Sequence, residues 1–349
     1  MREAFEAPSA ATVGLEEELM LLDAETLDLA PHAPEVVDAL GGDPRFKLEM
    51  PAAQLEIVTA PHPTVAAAAR ELAEARAALA RAVEGRFRVA GAGAHPFAAG
   101  HGPLNPGPRY DAIGAEYAAV ARRQLVFGLH VHVAIRGADR ALAVYNALRS
   151  HLPALAALAA NAPFYEGRDS GLASVRSRIS GLLPRQGVPP AFASFEAYQD
   201  ALRWCGFDDA RQWWWELRLH PLLGTVEVRV PDTQATIEDT AAVATAVHAL
   251  VTGLAARYDA GERLPVADAW RIDQNRWSAC RHGLDGTMRD LETGDLRPTR
   301  HVVAALLGEV PDLDGAARQR EVAASLGLRG LVGWLADRFV PRTNVTGAG

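Results

Sequence analysis

Alternation of apolar and polar positions picks out the strands of this chain. Residues 12–22 read Thr-Val-Gly-Leu-Glu-Glu-Glu-Leu-Met-Leu-Leu. Side chains two apart on a strand share a face, so Glu16 and Glu18 point one way and Leu15, Glu17 and Leu19 the other. Residues 126–135 repeat the period, with His130 and His132 on one face and Val131 and Val133 on the opposite one. Residues 212–219 and 224–230 read as a hairpin joined by 220–223, and Glu227 and Arg229 share a face of its second strand. Shorter strands are expected at 46–49, 54–59 and 87–93, with a brief return strand at 27–29. Glu49 and Glu56 lie an odd number of residues apart, so they can share a site only if the chain bends between them.

Other stretches carry helical signals. A brief helix is expected at 34–40, and Thr64 is a plausible N-cap for an Ala/Leu/Arg/Glu-rich helix to residue 84. Further helices are expected at 115–124, 139–150, 152–160, from Ser194 to 204, from Thr236 to 258, at 266–281, and on to 339. Glycines and prolines prevent regular structure over 94–108, a loop long enough to suggest binding. No repeat or linker divides the chain, so one α+β domain is expected over 1–349, its core at 12–340 and a frayed tail at 343–349.

Composition narrows the function. With 49% hydrophobic and 22% charged residues the balance is that of a globular enzyme, and a net charge of -8 argues against a sequence-independent nucleic-acid binder. Only Lys47 could serve a lysine-centred mechanism. No G-x-x-x-x-G-K-[ST] run is present, which excludes a P-loop. Two cysteines, Cys205 and Cys280, form no disulfide framework, the first residues contain no apolar signal core, and the longest apolar run, 241–256, is broken by Thr245, His248 and Thr252. A cytoplasmic protein with no membrane or nucleic-acid partner is the expectation.

The chemistry lies in the acids. Glu16, Glu18, Glu49, Glu56 and Glu227 sit on otherwise apolar strands, joined by His130 and His132. If these strands form one antiparallel sheet, its site face gathers about five carboxylates, and that charge needs two or three divalent cations to offset it. Oxygen-rich ligation suits Mg²⁺ or Mn²⁺, which in turn suits phosphate. Read locally, each group also has a plainer explanation: a solvated edge for Glu16 and Glu18, a hydrogen-bonded structural role for a single histidine, an ion pair for Glu227 and Arg229. Arg176 and Arg178, two apart in a Gly/Ser-rich segment, suit a carboxylate or phosphate, or else surface ion pairs.

Five separated motifs then carry a resemblance. Gly14-Leu15-Glu16-Glu17-Glu18, Gln54-Leu55-Glu56 with Glu49 upstream, Gly128-Leu129-His130-Val131-His132-Val133, Gly224-Thr225-Val226-Glu227-Val228-Arg229 and Asn275-Arg276-Trp277 together resemble the type 2 glutamate-cysteine ligases, bacterial carboxylate-amine ligases with a glutamine synthetase-like catalytic fold. The resemblance implies a curved antiparallel sheet forming a funnel-shaped active site, with helices on its convex face. It implies metal ligands at Glu16, Glu18, Glu49, Glu56, His130 and Glu227. Catalytic roles fall to Glu227 and Arg229, with Arg229 facing the transferred phosphate, and Arg229 and Arg176 contact ATP. Arg176, Arg178 and Gln54 contact substrate. ATP with Mg²⁺ or Mn²⁺ would activate a carboxylate, the γ-carboxylate of L-glutamate foremost, for attack by an amine such as L-cysteine, and a homodimer is implied. Two rivals are a metal-dependent hydrolase centred on His130 and His132 and a non-catalytic ATP/metal-binding relative. Glu17, facing away, is expected to take no part, so that Glu17→Gln leaves metal-dependent catalysis largely intact.

Overall fold

The computed structural model describes residues 1–340 apart from Pro8, Ser9, Asp209, Pro221, Glu309 and Leu313, so the expected tail at 343–349 lies outside the described residues. Seven antiparallel strands form the main sheet: β1 (Val13–Asp23), β2 (Phe46–Leu48), β3 (Gln54–Val58), β4 (Phe87–Ala90), β5 (Leu129–Ala134) and, after a separate small hairpin of β6 (Phe164–Tyr165) and β7 (Arg168–Asp169), β8 (Leu217–His220) and β9 (Thr225–Val228). Their order is β2-β3-β1-β5-β9-β8, with β4 paired to the C-terminal half of β1. A third hairpin, β10 (Thr287–Arg289) with β11 (Leu296–Pro298), interrupts a region the sequence reads as helical. The return strand expected at 27–29 reduces to one bridge, Leu22 to Leu29.

Besides four short 3-10 turns, the described residues form eleven α-helices: α1 (Ala33–Ala39), α2 (Val65–Val83), α3 (Pro108–Ala121), α4 (Ala138–Leu148), α5 (Leu152–Leu158), α6 (Arg176–Ser180), α7 (Phe195–Trp204), α8 (Ile237–Asp259), α9 (Ala269–His282), α10 (Thr299–Leu307) and α11 (Gly315–Ala336). Thr64, Ser194 and Thr236 cap α2, α7 and α8 as expected, each hydroxyl oxygen accepting from the N–H three residues on. The helix expected at 115–124 instead starts at Pro108 and is kinked at Ala118, whose φ is 48°.

Alternation along the strands decides which side the helices cover. Leu15 and Leu19 of β1, Leu55 and Ile57 of β3, Leu129, Val131 and Val133 of β5, and Val226 and Val228 of β9 join one apolar core that α2, α4 and α8 pack against. α8 is apolar and long enough to cross a membrane, but half of its apolar window is buried within this fold. On the opposite parity the strand divides. Met20 and Leu22 are covered by Leu331, Val332 and Leu335 of α11, and Glu16 and Glu18 open onto a cavity.

Glu17 is more than a bystander. It is fully buried on the helix-covered face, where Arg76 of α2 clasps it through two hydrogen bonds of 2.7 and 2.5 Å. Arg76 also donates to the carbonyls of Gln234, Ala235 and Phe339, and Thr240 of α8 donates to Glu17 at 3.1 Å. The carboxylate therefore ties the central strand to two helices and to the far end of the described chain.

Candidate active site

Cross-strand register assembles the site. Glu16 stands opposite His130, Glu18 opposite Glu56, Gly14 opposite His132, and His132 opposite Glu227. Directly opposed residues share a face, so β1, β3, β5 and β9 deliver their acids and imidazoles to one wall. Glu49 reaches the same cavity because the segment at Met50-Pro51 turns the chain and allows the odd spacing from Glu56. The cavity has a volume of about 350 Å³ and includes Glu16, Glu18, Glu49, Gln54, Glu56 and His130 on the acidic side, with Arg109, Arg176, Arg211, Arg218 and Arg229 around them.

A hairpin closed by 220–223 would set Glu216 opposite Glu227. The strands instead run to His220 and restart at Thr225, so Arg218 stands opposite Glu227. Its guanidinium grips that carboxylate at 2.7 and 2.8 Å, and Arg229 adds a third contact at 2.5 Å. Burial works against ionisation of Glu227, but the two arginines and His132 overcome it and hold the carboxyl well below the ordinary range. Glu216, also at the cavity, is taken by Arg276 through contacts of 2.9 and 3.0 Å. Asn275 exchanges two hydrogen bonds with the backbone of Arg289 and anchors β10. The Asn275-Arg276-Trp277 motif thus supports the site from behind.

Among the described residues no arginine is hydrogen-bonded to the remaining acids: Glu18 accepts the backbone N–H of Gly128 at 2.5 Å, and Glu16 meets His130 and His132 at 3.0 and 3.2 Å. Burial drives Glu56 well above the ordinary carboxylate range, with Glu49, Glu16 and Glu18 adding repulsion. Burial raises Glu18 to about 7 against the pull of Arg176, while Glu49 repels it. Glu49 is raised by burial against the pull of Arg109 and Arg229. For Glu16 burial again opposes the charge, but His132 and His130 hold the carboxyl well below its ordinary value. His130 is lowered to about 4 by burial and by Arg229. His132 moves up despite burial because Glu227 and Glu16 favour its cation.

These groups fit divalent cations. Ligand atoms of Glu16, Glu56 and His130 lie within 4.8 Å of one another, as do those of Glu16, His132 and Glu227. His130 Nδ1 is 3.0 Å from Glu16, and a neutral ring donating there leaves the Nε2 lone pair free. Buried Nε2 has no hydrogen-bond partner and lies 3.7 Å from Glu18. Two carboxylates per imidazole is a hard, oxygen-rich donor set, nearer to Mg²⁺ or Mn²⁺ than to the nitrogen-rich set of a zinc hydrolase.

The two predicted arginines part company. Residues 176–180 form a turn of helix, and two-residue spacing on a helix separates side chains by about 200°. Arg176 turns inward, lies across Gly128, where a Cβ would collide with its guanidinium, and donates to the carbonyls of Val230 and Arg229. Arg178 is exposed, stands over the ring of Trp277 and does not line the cavity, whereas Arg176 does. Gln54 lines the cavity with its buried Oε1 unpartnered. Arg109, Arg211, Arg218, Trp214 and Glu216 were not singled out by the sequence. Only Arg218 left a usable signal, the register of its hairpin.

The sequence profile described as glutamate-cysteine ligase family 2 matches residues 12–333. The chain belongs to that family. Among its relatives, a candidate glutamate–cysteine ligase 2-3 of Rubrobacter xylanophilus is 38% identical across 97% of this chain and 99% of its own length, and a candidate glutamate–cysteine ligase 2 of Sorangium cellulosum is 36% identical across 89% and 86%. The family 2 fold also matches the glutamate–cysteine ligase of Francisella tularensis in complex with AMP, at a TM-score of 0.69 and 12% identity over 96% of this chain and 89% of that one. A bifunctional glutathione synthetase from Pasteurella multocida aligns at a TM-score of 0.64 and 16% identity over 95% of this chain and 51% of that one. This family 2 member is accordingly an enzyme of the carboxylate–amine ligase class, with an α+β fold built on an open antiparallel sheet.

Proposed function

We propose that the enzyme activates the γ-carboxylate of L-glutamate with ATP and joins it to an amine such as L-cysteine. The observation that carries this reading is the unbalanced acid wall: Glu18, Glu49 and Glu56 are crowded and raised on one side of a cavity whose other side is arginine. Such a wall suits cations shared with a polyphosphate. Glu16, Glu56 and His130 would hold one divalent ion, and Glu16, His132 and Glu227 another. Bound there, Mg²⁺ or Mn²⁺ would supply charge neutralisation and Lewis-acid activation of a polyphosphate.

The chain's own residues do the rest. Arg229, pinned by Glu227 at 2.5 Å and lying 3.3 Å from His130, keeps further N–H groups for the transferring phosphoryl group. Arg218 fixes Glu227, so neither partner must reorganise as charge develops. A carboxylate oxygen attacks the γ-phosphorus, the bond to ADP breaks, and an acyl phosphate forms. The amine nitrogen then attacks the acyl carbon, phosphate departs, and the nitrogen loses a proton to give the amide. The scheme needs no covalent nucleophile. A cytoplasmic setting, expected from the sequence, and a homodimer, implied by the family resemblance, belong to this proposal.

The test is ADP release with Mg²⁺-ATP over a matrix of carboxylates and amines, with hydroxylamine as a trap. Glutamate plus hydroxylamine should yield γ-glutamyl hydroxamate. ATP binding without hydroxamate would remove the first step.

A further inference from the structure

Five arginines line the cavity, and what each is bound to separates them. Both arms of Arg218 are spent on Glu227, and its Nη1 donates to the carbonyls of Arg211 and Trp213. Arg229 is held by Glu227 with its remaining N–H groups set aside for the phosphoryl group, Arg176 is pinned by backbone carbonyls and leaves only a buried Nε unpaired, and Arg211 is also engaged. Arg109, exposed in the first turn of α3 at the mouth of the cavity, differs: among the described residues its guanidinium makes no hydrogen bond to a carboxylate, carbonyl or hydroxyl, standing over the face of Tyr110 at 5.6 Å and attracting Glu49 through space. Tyr110 is fixed in turn, its hydroxyl donating to the carbonyl of Leu48 at 2.7 Å on the strand leading to Glu49. The aromatic face thus holds Arg109 at the acidic end of the cavity with its N–H fork unspent.

A substrate that brings two carboxylates to this cavity creates a problem the rest of the site does not solve. The carboxylate to be phosphorylated belongs with the cations and ATP. A second one would meet Glu18, Glu49 and Glu56, and like charges in a buried site repel strongly. It needs a cation whose donors are free, and a guanidinium fork matches a carboxylate bidentately.

We propose that Arg109 receives a substrate carboxylate other than the one phosphorylated, and so makes the enzyme selective for amino acids over their decarboxylated analogues. The inference rests on the ligase reading. The carboxylate can come from the donor or from an amino-acid acceptor, and two arms distinguish them.

In the first arm, kcat/KM is measured for L-glutamate and for 4-aminobutyrate, which keeps the reacting carboxylate and lacks the α-carboxylate, with hydroxylamine as acceptor. The second arm compares L-cysteine with cysteamine as acceptor to glutamate. Each is run on the intact enzyme, on Arg109→Ala and on Arg109→Lys, with circular dichroism to confirm folding and with KM for ATP as the control. A lost bidentate contact should collapse the discrimination ratio in one arm by about 10²-fold in Arg109→Ala, with partial recovery in Arg109→Lys. KM for ATP should shift by less than about threefold, since a residue that met phosphate would move it. Collapse in the first arm assigns the carboxylate to the donor, collapse in the second alone to the acceptor. Turnover with both ratios intact in Arg109→Ala overturns the inference and leaves the ligase reading standing. No ADP release by the unaltered enzyme with any pair removes both.

Discussion

Glu16, Glu17 and Glu18 occupy consecutive positions of β1, yet the two faces of that strand treat their charge in opposite ways. On the helix-covered face Glu17 meets one guanidinium in a fork of 2.5 and 2.7 Å, with every other donor of Arg76 placed on a carbonyl. On the site face, Glu16 and Glu18 share a cavity with Glu49 and Glu56, and three of those four are pushed upward by burial. A balanced buried pair holds structure in place, whereas an unbalanced cluster is a site waiting for charge. The difference is set by what crosses from neighbouring elements, not by the residue type.

The largest effect should come from breaking the balance. Glu17→Gln leaves Arg76 buried without its counter-ion and should cost about 3–5 kcal/mol of stability, read by urea unfolding. The expectation that Glu17→Gln spares metal-dependent catalysis then applies to the fraction that remains folded, where turnover should persist. Glu17→Leu combined with Arg76→Leu should recover much of the loss, and a double variant as unstable as the single one would mean the pair is not what the strand depends on.

Next in size is loss of function on the other face. Glu16→Gln, which touches both candidate ligand triads, should lower kcat/KM for ADP release by about 10³-fold, equivalent to roughly 4 kcal/mol. Wild-type-like activity in Glu16→Gln would remove the metal assignment.

Acid should attack the fold from a third place, and it must be separated from both faces. His95 is buried at 3% exposure and held neutral: its Nε2–H donates to the carbonyl of Leu27, while Nδ1 accepts from the N–H groups of Phe97 and Ala98. Burial lowers it to about 4. Because the folded value lies below the unfolded one near 6.5, the unfolded chain binds the extra proton first. The contribution is complete above about pH 6.5 and is lost as pH falls toward 4, on the order of 3 kcal/mol. His95→Gln should flatten the unfolding free energy over that window relative to the wild type, and an unchanged slope would rule His95 out.

The smallest effect has the sign that only the unbalanced face allows. In protein freed of metal by chelation at pH 8, Glu56→Gln should unfold at a higher urea concentration than the wild type, by about 1 kcal/mol, because one of several repelling carboxylates has gone. Destabilisation would show that the cluster is balanced by partners after all.

Much of the site face was legible because period-two alternation places Glu16, Glu18, His130 and Glu227 on one side without any knowledge of pairing. Glu49 was open because its odd spacing from Glu56 demands a bend, which the segment at Met50-Pro51 supplies. What could not be read were partners brought by distant elements: Arg76 for Glu17, Arg276 for Glu216, and Arg109 behind a glycine- and proline-rich loop. Arg176 and Arg178 could not be told apart in sequence, because two-residue spacing shares a face on a strand and divides on a helix, and residues 176–180 make a turn of helix. The two small hairpins, β6 with β7 and β10 with β11, have only two or three residues per strand, too short for alternation to show.

Arg76 binds Glu17 from residues made early, but three of its carbonyl partners, at Gln234, Ala235 and Phe339, are made late. During synthesis the first strand and its helix can meet while the guanidinium is still short of acceptors. The full set of acceptors for Arg76, behind the strand that carries Glu16 and Glu18, therefore exists only once residue 339 has emerged, and truncation before it leaves a buried guanidinium with a donor unpaired.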